Sequence, residues 1–122
     1  MTNDPVSGRK ILIVEDETMI AIMLEDMLEE LGYGLAGIAA KPHQALEIIG
    51  RAHIDAAILD VNLDGQNSYE IAAKLEERGI PFLFSTGYAA VAVDERFRRH
   101  PFLQKPFRQE ELQDALSAML AQ

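Results

Sequence analysis

The 122 residues contain no cysteine, which excludes a disulfide framework and any thiolate metal site and suits a reducing compartment. Positive charge is scarce. Eleven Lys and Arg stand against 20 Asp and Glu, a net charge of −9 that argues against a nucleic-acid partner. No apolar run approaches the roughly 18 to 20 residues needed to span a membrane. The opening MTNDPVSGRK lacks the apolar core of a secretory signal. There is no internal repeat and no low-complexity stretch. The expectation is a cytoplasmic protein with neither membrane nor nucleic acid as a partner.

What is present is one domain's worth of patterned chain. A chain of this size buries roughly two thirds of its unfolded surface and needs no staples. Residues 1–9 read as a flexible tail and 10–122 as the domain. KILIVE (10–15), GLAGIA (34–39), DAAILDV (55–61), PFLF (81–84) and PFLQ (101–104) are short apolar runs that read as strands. Between them, helical spacing of apolar residues predicts helices over 17–31, 42–52 and 68–78, with a last helix over 108–120. On the first helix the inward set is Ile20, Met23, Leu24, Met27, Leu28 and Leu31, with Met19, Met23 and Met27 as core filling. On the second it is Ala45, Leu46 and Ile49. Residues 89–99 fit neither pattern cleanly. Strand and helix alternate five times with short connections, which predicts an α/β fold with a doubly wound, five-stranded parallel sheet. The strands are apolar on both faces, as a sheet covered on both sides requires.

In such a sheet, ligands bind beyond the carboxyl ends of the strands. Glu15, Asp16 and Glu17 follow the first strand. Asp60 ends the third, with Asn62 and Asp64 beyond it. Ser85 and Thr86 follow the fourth, Lys105 and Pro106 the fifth. Clustered carboxylates repel one another unless a cation is present. An all-oxygen donor set without Cys or His suits Mg²⁺. A carboxylate beside a cation, with a lysine and a hydroxyl opposite, suits a phosphoryl group, and Asp60 is best placed to be the nucleophile that forms an aspartyl phosphate. His43, His53 and His100 share no metal spacing and read as surface or helix-end residues.

ILIVEDE, AAILDVNLDG, FSTG and LQKPF, in that order, resemble the receiver domain of bacterial two-component response regulators, over nearly the whole chain. PFLFSTGY resembles a single-domain subclass marked by PFxFATGY, with Ser85 in place of alanine. The resemblance implies a CheY-like fold of strand order 2-1-3-4-5, with a shortened or irregular fourth helix. It implies that Asp60 accepts a phosphoryl group from a histidine kinase or phosphotransfer protein, with Thr86 and Lys105 engaging that group. Glu15, Asp16, Asp60 and the backbone carbonyl of Asn62 would hold Mg²⁺. Tyr88 and Phe102 would report the switch, and the peptide before Pro106 would be cis. Glu15 stands where Asp is more usual.

Such a chain is a signalling switch rather than an enzyme, beyond acquiring and shedding its own phosphoryl group. No DNA-binding or catalytic segment follows the last helix, so output is expected through a downstream protein. The basic run Arg96, Arg98, Arg99, Lys105 and Arg108 offers a docking face for it. Two other readings compete. One is a receiver that binds partners without switching. The other is an aspartate-nucleophile phosphatase, disfavoured because Asn62 stands where such enzymes place a proton-transferring Asp.

Overall fold

The computed structural model describes residues 8–63, 66–87, 95–97 and 99–121. The order along the chain is β1 (Lys10–Val14), α1 (Thr18–Glu30), β2 (Gly34–Ala39), α2 (Pro42–Arg51), β3 (Ala56–Asp60), β4 (Asn62–Leu63), β5 (Gln66–Asn67), α3 (Tyr69–Glu77), β6 (Phe82–Thr86), a 3₁₀ turn (Glu95–Phe97), β7 (Phe102–Gln104) and α4 (Gln109–Leu120). β2-β1-β3-β6-β7 form one sheet, all parallel, and β4 and β5 form a separate antiparallel ribbon. With the ribbon set aside, this is the expected 2-1-3-4-5 order. The ribbon itself occupies part of what reads in sequence as a plain loop.

Each strand divides its side chains between two cores, because successive residues point to opposite faces. Leu12, Val14, Ala57, Leu59, Phe82 and Phe84 pack against α2 and α3. Ile11, Ile13, Ala56, Ile58 and Leu83 pack against α1 and α4. Every residue of β3 is buried, as a central strand covered by helices on both faces must be. Pro42 opens α2 at a position where its missing N–H costs nothing. α1 and α3 stop the same way. Gly32 (φ 91°) and Gly79 (φ 69°) take up the left-handed conformation, and the next residue's N–H returns to the helix: Tyr33 to the Leu28 carbonyl and Ile80 to the Leu75 carbonyl, both at 2.9 Å.

Two helix faces differ from the expected ones. On α1 the buried residues are Ala21, Leu24 and Leu28, whereas Met19 is 80% exposed and Met23 42%. The stripe is narrower than its apolar residues suggested, so only Met27 of the three methionines packs on the core. On α2, Ile48 rather than Leu46 joins Ala45 and Ile49 inside. At the amino end, the Gly8 N–H bonds to the Gly32 carbonyl and the Arg9 carbonyl accepts from the Gly34 N–H.

Much of the segment expected to hold an irregular fourth helix, residues 88–94 and 98, lies outside the described residues. What is described is the turn that buries Phe97. Its ring stacks on Tyr69 (5.1 Å between centroids) and meets Phe84 edge-on (6.1 Å). Phe97 thus covers β6 on the face that carries Phe84.

Candidate functional site

The carboxyl ends of β1, β3, β6 and β7 meet at one edge of the sheet. Glu15 and Asp16 leave β1, and the Glu15 N–H still bonds to the Ala39 carbonyl of β2 at 2.9 Å. Asp60 is the last residue of β3, Thr86 the last of β6, and Lys105 the first after β7. The Lys105 N–H donates to the Thr86 carbonyl at 2.7 Å, so the two are fixed to each other through the backbone. The Lys105–Pro106 peptide is cis.

Glu15, Asp16 and Asp60 can each bring one carboxylate oxygen within 4.8 Å of the others. Lys105 Nζ donates to Glu15 Oε1 at 2.7 Å and to Asp60 Oδ2 at 3.3 Å. The remaining oxygens take backbone donors, Glu17 N–H to Glu15 Oε2 and Asn62 N–H to Asp60 Oδ1, both at 3.2 Å. The Glu15 side chain is 1% exposed and that of Asp60 10%. Burial, with Asp60 alongside, pushes the Glu15 carboxyl up from 4.5 to about 7, against the pull of Lys105. For Lys105, burial works against the charge, but the bond to Glu15 and the field of Asp60 prevail and raise its pKa. The site therefore carries more negative charge than one ammonium relieves. Its oxygen-only donors match a hard divalent cation such as Mg²⁺.

The other expected residues fall at varied distances from this centre. Thr86 is buried at 1%. Asn62 sits on β4 directly after the Asp60 strand, its side chain exposed. Phe102 is 41% exposed on the edge strand β7. Tyr88 lies outside the described residues, as do Asp64 and Gly65. Among the described residues, a Cβ on Gly87 would meet nothing within 4 Å. A groove of about 780 Å³ opens beside Asp16, walled by Lys41, His43, Leu63 and Glu70.

Sequence patterns missed two features. Ser85 is buried at 1%, and its hydroxyl has no hydrogen-bond partner among the described residues. His100 is no surface residue. It is half-buried, stacks on Phe82 at 4.1 Å and bonds to Glu76. Arg96 and Arg99 of the expected docking face also turn toward Glu76, at 3.8 and 2.8 Å. Charge counting along the chain could not find this cluster, because its acid lies about twenty residues before its cations.

Comparison with known proteins agrees with this geometry. Residues 11–117 match the response regulator receiver domain. The transcriptional regulatory protein MalR of Bacillus subtilis is 32% identical over 88% of this chain; the chain spans only 48% of it, about half the length of such curated relatives. SdrG from Sphingomonas melonis Fr1 is 47% identical, with a TM-score of 0.83 over 96% of this chain and 98% of its own. A BeF₃-activated conformation of SdrG superposes at 0.82, over 93% of this chain and 98% of its own. The receiver domain of the sensor histidine kinase PA1611 from Pseudomonas aeruginosa PAO1, which has a magnesium ion coordinated in its active-site cleft, is 27% identical with a TM-score of 0.79 over 95% of this chain and all of its own. With its strand order and the full span of the match, the chain belongs to the response regulator receiver domain family, a family of two-component signalling domains rather than enzymes.

Proposed function

We propose that this receiver takes a phosphoryl group on Asp60 and thereby switches a protein-binding surface. The observation that carries the reading is Lys105 Nζ bridging Glu15 and Asp60, an ammonium poised over two carboxylates at the ligand-binding edge of the sheet. Two carboxylates and a lysine are more charge than a structural role needs, and burying them without a ligand is costly.

The donor is the phosphohistidine of a histidine kinase or a phosphotransfer protein, reaching Asp60 past the groove beside Asp16. An Asp60 oxygen attacks phosphorus, the P–N bond to the donor imidazole breaks, and its electron pair leaves with the imidazole. Lys105 balances the charge on the transferring oxygens, and the Thr86 hydroxyl, one residue beyond the Asp60 register, hydrogen-bonds one of them. Glu15, Asp16, Asp60 and the Asn62 carbonyl are the residues that would hold Mg²⁺, which supplies further charge neutralisation when bound. Phe102, exposed on the edge strand, and Tyr88 are the aromatic reporters, and a downstream protein reads them in the cytoplasm. A phosphate's charge and acceptor oxygens suffice to change the shape of the 87–104 segment between Thr86 and Lys105.

The test is direct. Incubated with Mg²⁺ and acetyl phosphate, the protein should gain the mass of one phosphoryl group, and Asp60→Asn should gain none. An unmodified wild type, or a modified Asp60→Asn, would overturn the reading.

A further inference from the structure

The unpartnered hydroxyl of Ser85 sits in a particular row. Along β6, Phe84 enters the core under α2 and α3 while Leu83 enters the core under α1 and α4. Alternation returns Ser85 to the α1/α4 face. The register pairs Ser85 with Asp60 across β3 and β6, and paired residues of parallel strands present their side chains to the same face. Across β1 and β3 the pairs are Ile13 with Ile58 and Val14 with Leu59, so the next step sets Glu15 beside Asp60. Glu15, Asp60 and Ser85 therefore line up on one face at the carboxyl edge.

Lys105 has to cross that row. It starts beyond β7, on the far side of β6 from β3 and β1, yet its Nζ ends 2.7 Å from Glu15 and 3.3 Å from Asp60. The strand it passes over is β6, whose residue on this face is Ser85. An ammonium has three N–H donors, and the two carboxylates take two. Among the described residues, one donor of Lys105 is left over, and so is the oxygen of Ser85, which is 1% exposed. A buried hydroxyl without a partner is costly, and each of these groups is what the other lacks.

We propose that Ser85 is a positioning residue for Lys105. Its hydroxyl accepts the third N–H of the ammonium as phosphoryl transfer draws Nζ away from Glu15, and so holds the charge over Asp60. The inference rests on Asp60 being the phosphoryl acceptor. With acetyl phosphate as donor, an Asp60 oxygen forms the new P–O bond, the P–O bond to the acetyl group breaks, and acetate leaves with the electron pair. Ser85 gives up no proton and forms no covalent bond.

The experiment compares wild type, Ser85→Ala and Ser85→Cys, with and without Lys105→Met, in Mg²⁺ and acetyl phosphate, following adduct mass against time. Ala removes the hydroxyl, whereas Cys keeps the bulk but is a poor acceptor. Both single variants should acquire the adduct about tenfold more slowly, the effect of losing one hydrogen bond to a charged group. On the Lys105→Met background neither should slow it further. The Lys105 ammonium protons should give a slowly exchanging NMR signal with beryllofluoride in wild type but not in Ser85→Ala. Variant rates within twofold of wild type would overturn the inference and leave Asp60 as acceptor. So would a wild-type rate in Ser85→Cys, which would mark a packing role, or a further loss on the Lys105→Met background. A wild type that forms no adduct overturns the inference together with the reading beneath it.

Discussion

His100 Nε2 donates to Glu76 Oε2 at 2.7 Å, joining the end of α3 to a residue 24 positions later. Arg99 adds a bond to the same oxygen at 2.8 Å, and Arg96 approaches the other at 3.8 Å. The Glu76 side chain is only 18% exposed. The His100 ring meanwhile lies on Phe82. One carboxylate thus fastens the stretch around the 3₁₀ turn to the helix beside it.

The clamp should show in acid. The bond from His100, then that from Arg99, holds the Glu76 carboxyl below its usual 4.5 despite partial desolvation. A carboxyl lowered by folding contributes stability above its unfolded pKa and loses it as pH falls through the folded value. Glu76→Gln should therefore cost about 1 kcal/mol near neutrality, and the gap from wild type should close below pH 4.5. Urea midpoints between pH 3 and 7 measure it. A gap that stays constant across that range would count against the clamp.

The aromatic side of the same stretch should matter more. Phe97 is 1% exposed and touches both Tyr69 and Phe84. Phe97→Ala should cost about 3–5 kcal/mol by chemical denaturation and weaken the near-ultraviolet dichroism of Tyr69. A cost comparable to that of a surface substitution would mean that the turn does not form part of the core.

Glu15 makes a prediction of the opposite sign. Its pKa is raised to about 7, so its share of stability is intact below pH 4.5 and lost as pH rises through 7. Without metal, this group should make the protein less stable at pH 8 than at pH 5, by at most about 3 kcal/mol. If the carboxylate cluster binds Mg²⁺, the ion should raise the melting temperature strongly at pH 8 and little at pH 5, where it must displace a proton. Glu15→Gln should flatten that pH dependence. Equal Mg²⁺ shifts at both pH values in wild type would remove Glu15 from the cation's ligands.

What the sequence made legible follows from range. The strands over 34–39 and 101–104, the helices and the strand order are local pattern plus connection rules, and they emerge within a residue or two of their expected ends. The carboxylates and Lys105 could be assigned to one edge because strand ends converge in this fold. Burial could not be read so simply. Met19 and Met23 look like core by spacing alone, yet α1 turns a narrower face inward. Glu15 reads as one acid among three, and only enclosure beside Asp60 explains its raised pKa. Ser85 acquires meaning only from register, and His100 only from a carboxylate in another element.

Ring contacts and charge pairs both anchor the 3₁₀ turn and the residues after it, and ionic strength separates the two forces. Mobile ions weaken the pull between Glu76 and its largely exposed arginines, whereas the ring contacts with Tyr69, Phe84 and Phe82 do not depend on salt. In concentrated brine the stretch is therefore a door held by its aromatic hinge with the ionic bolt drawn; in dilute buffer it is shut at both sides.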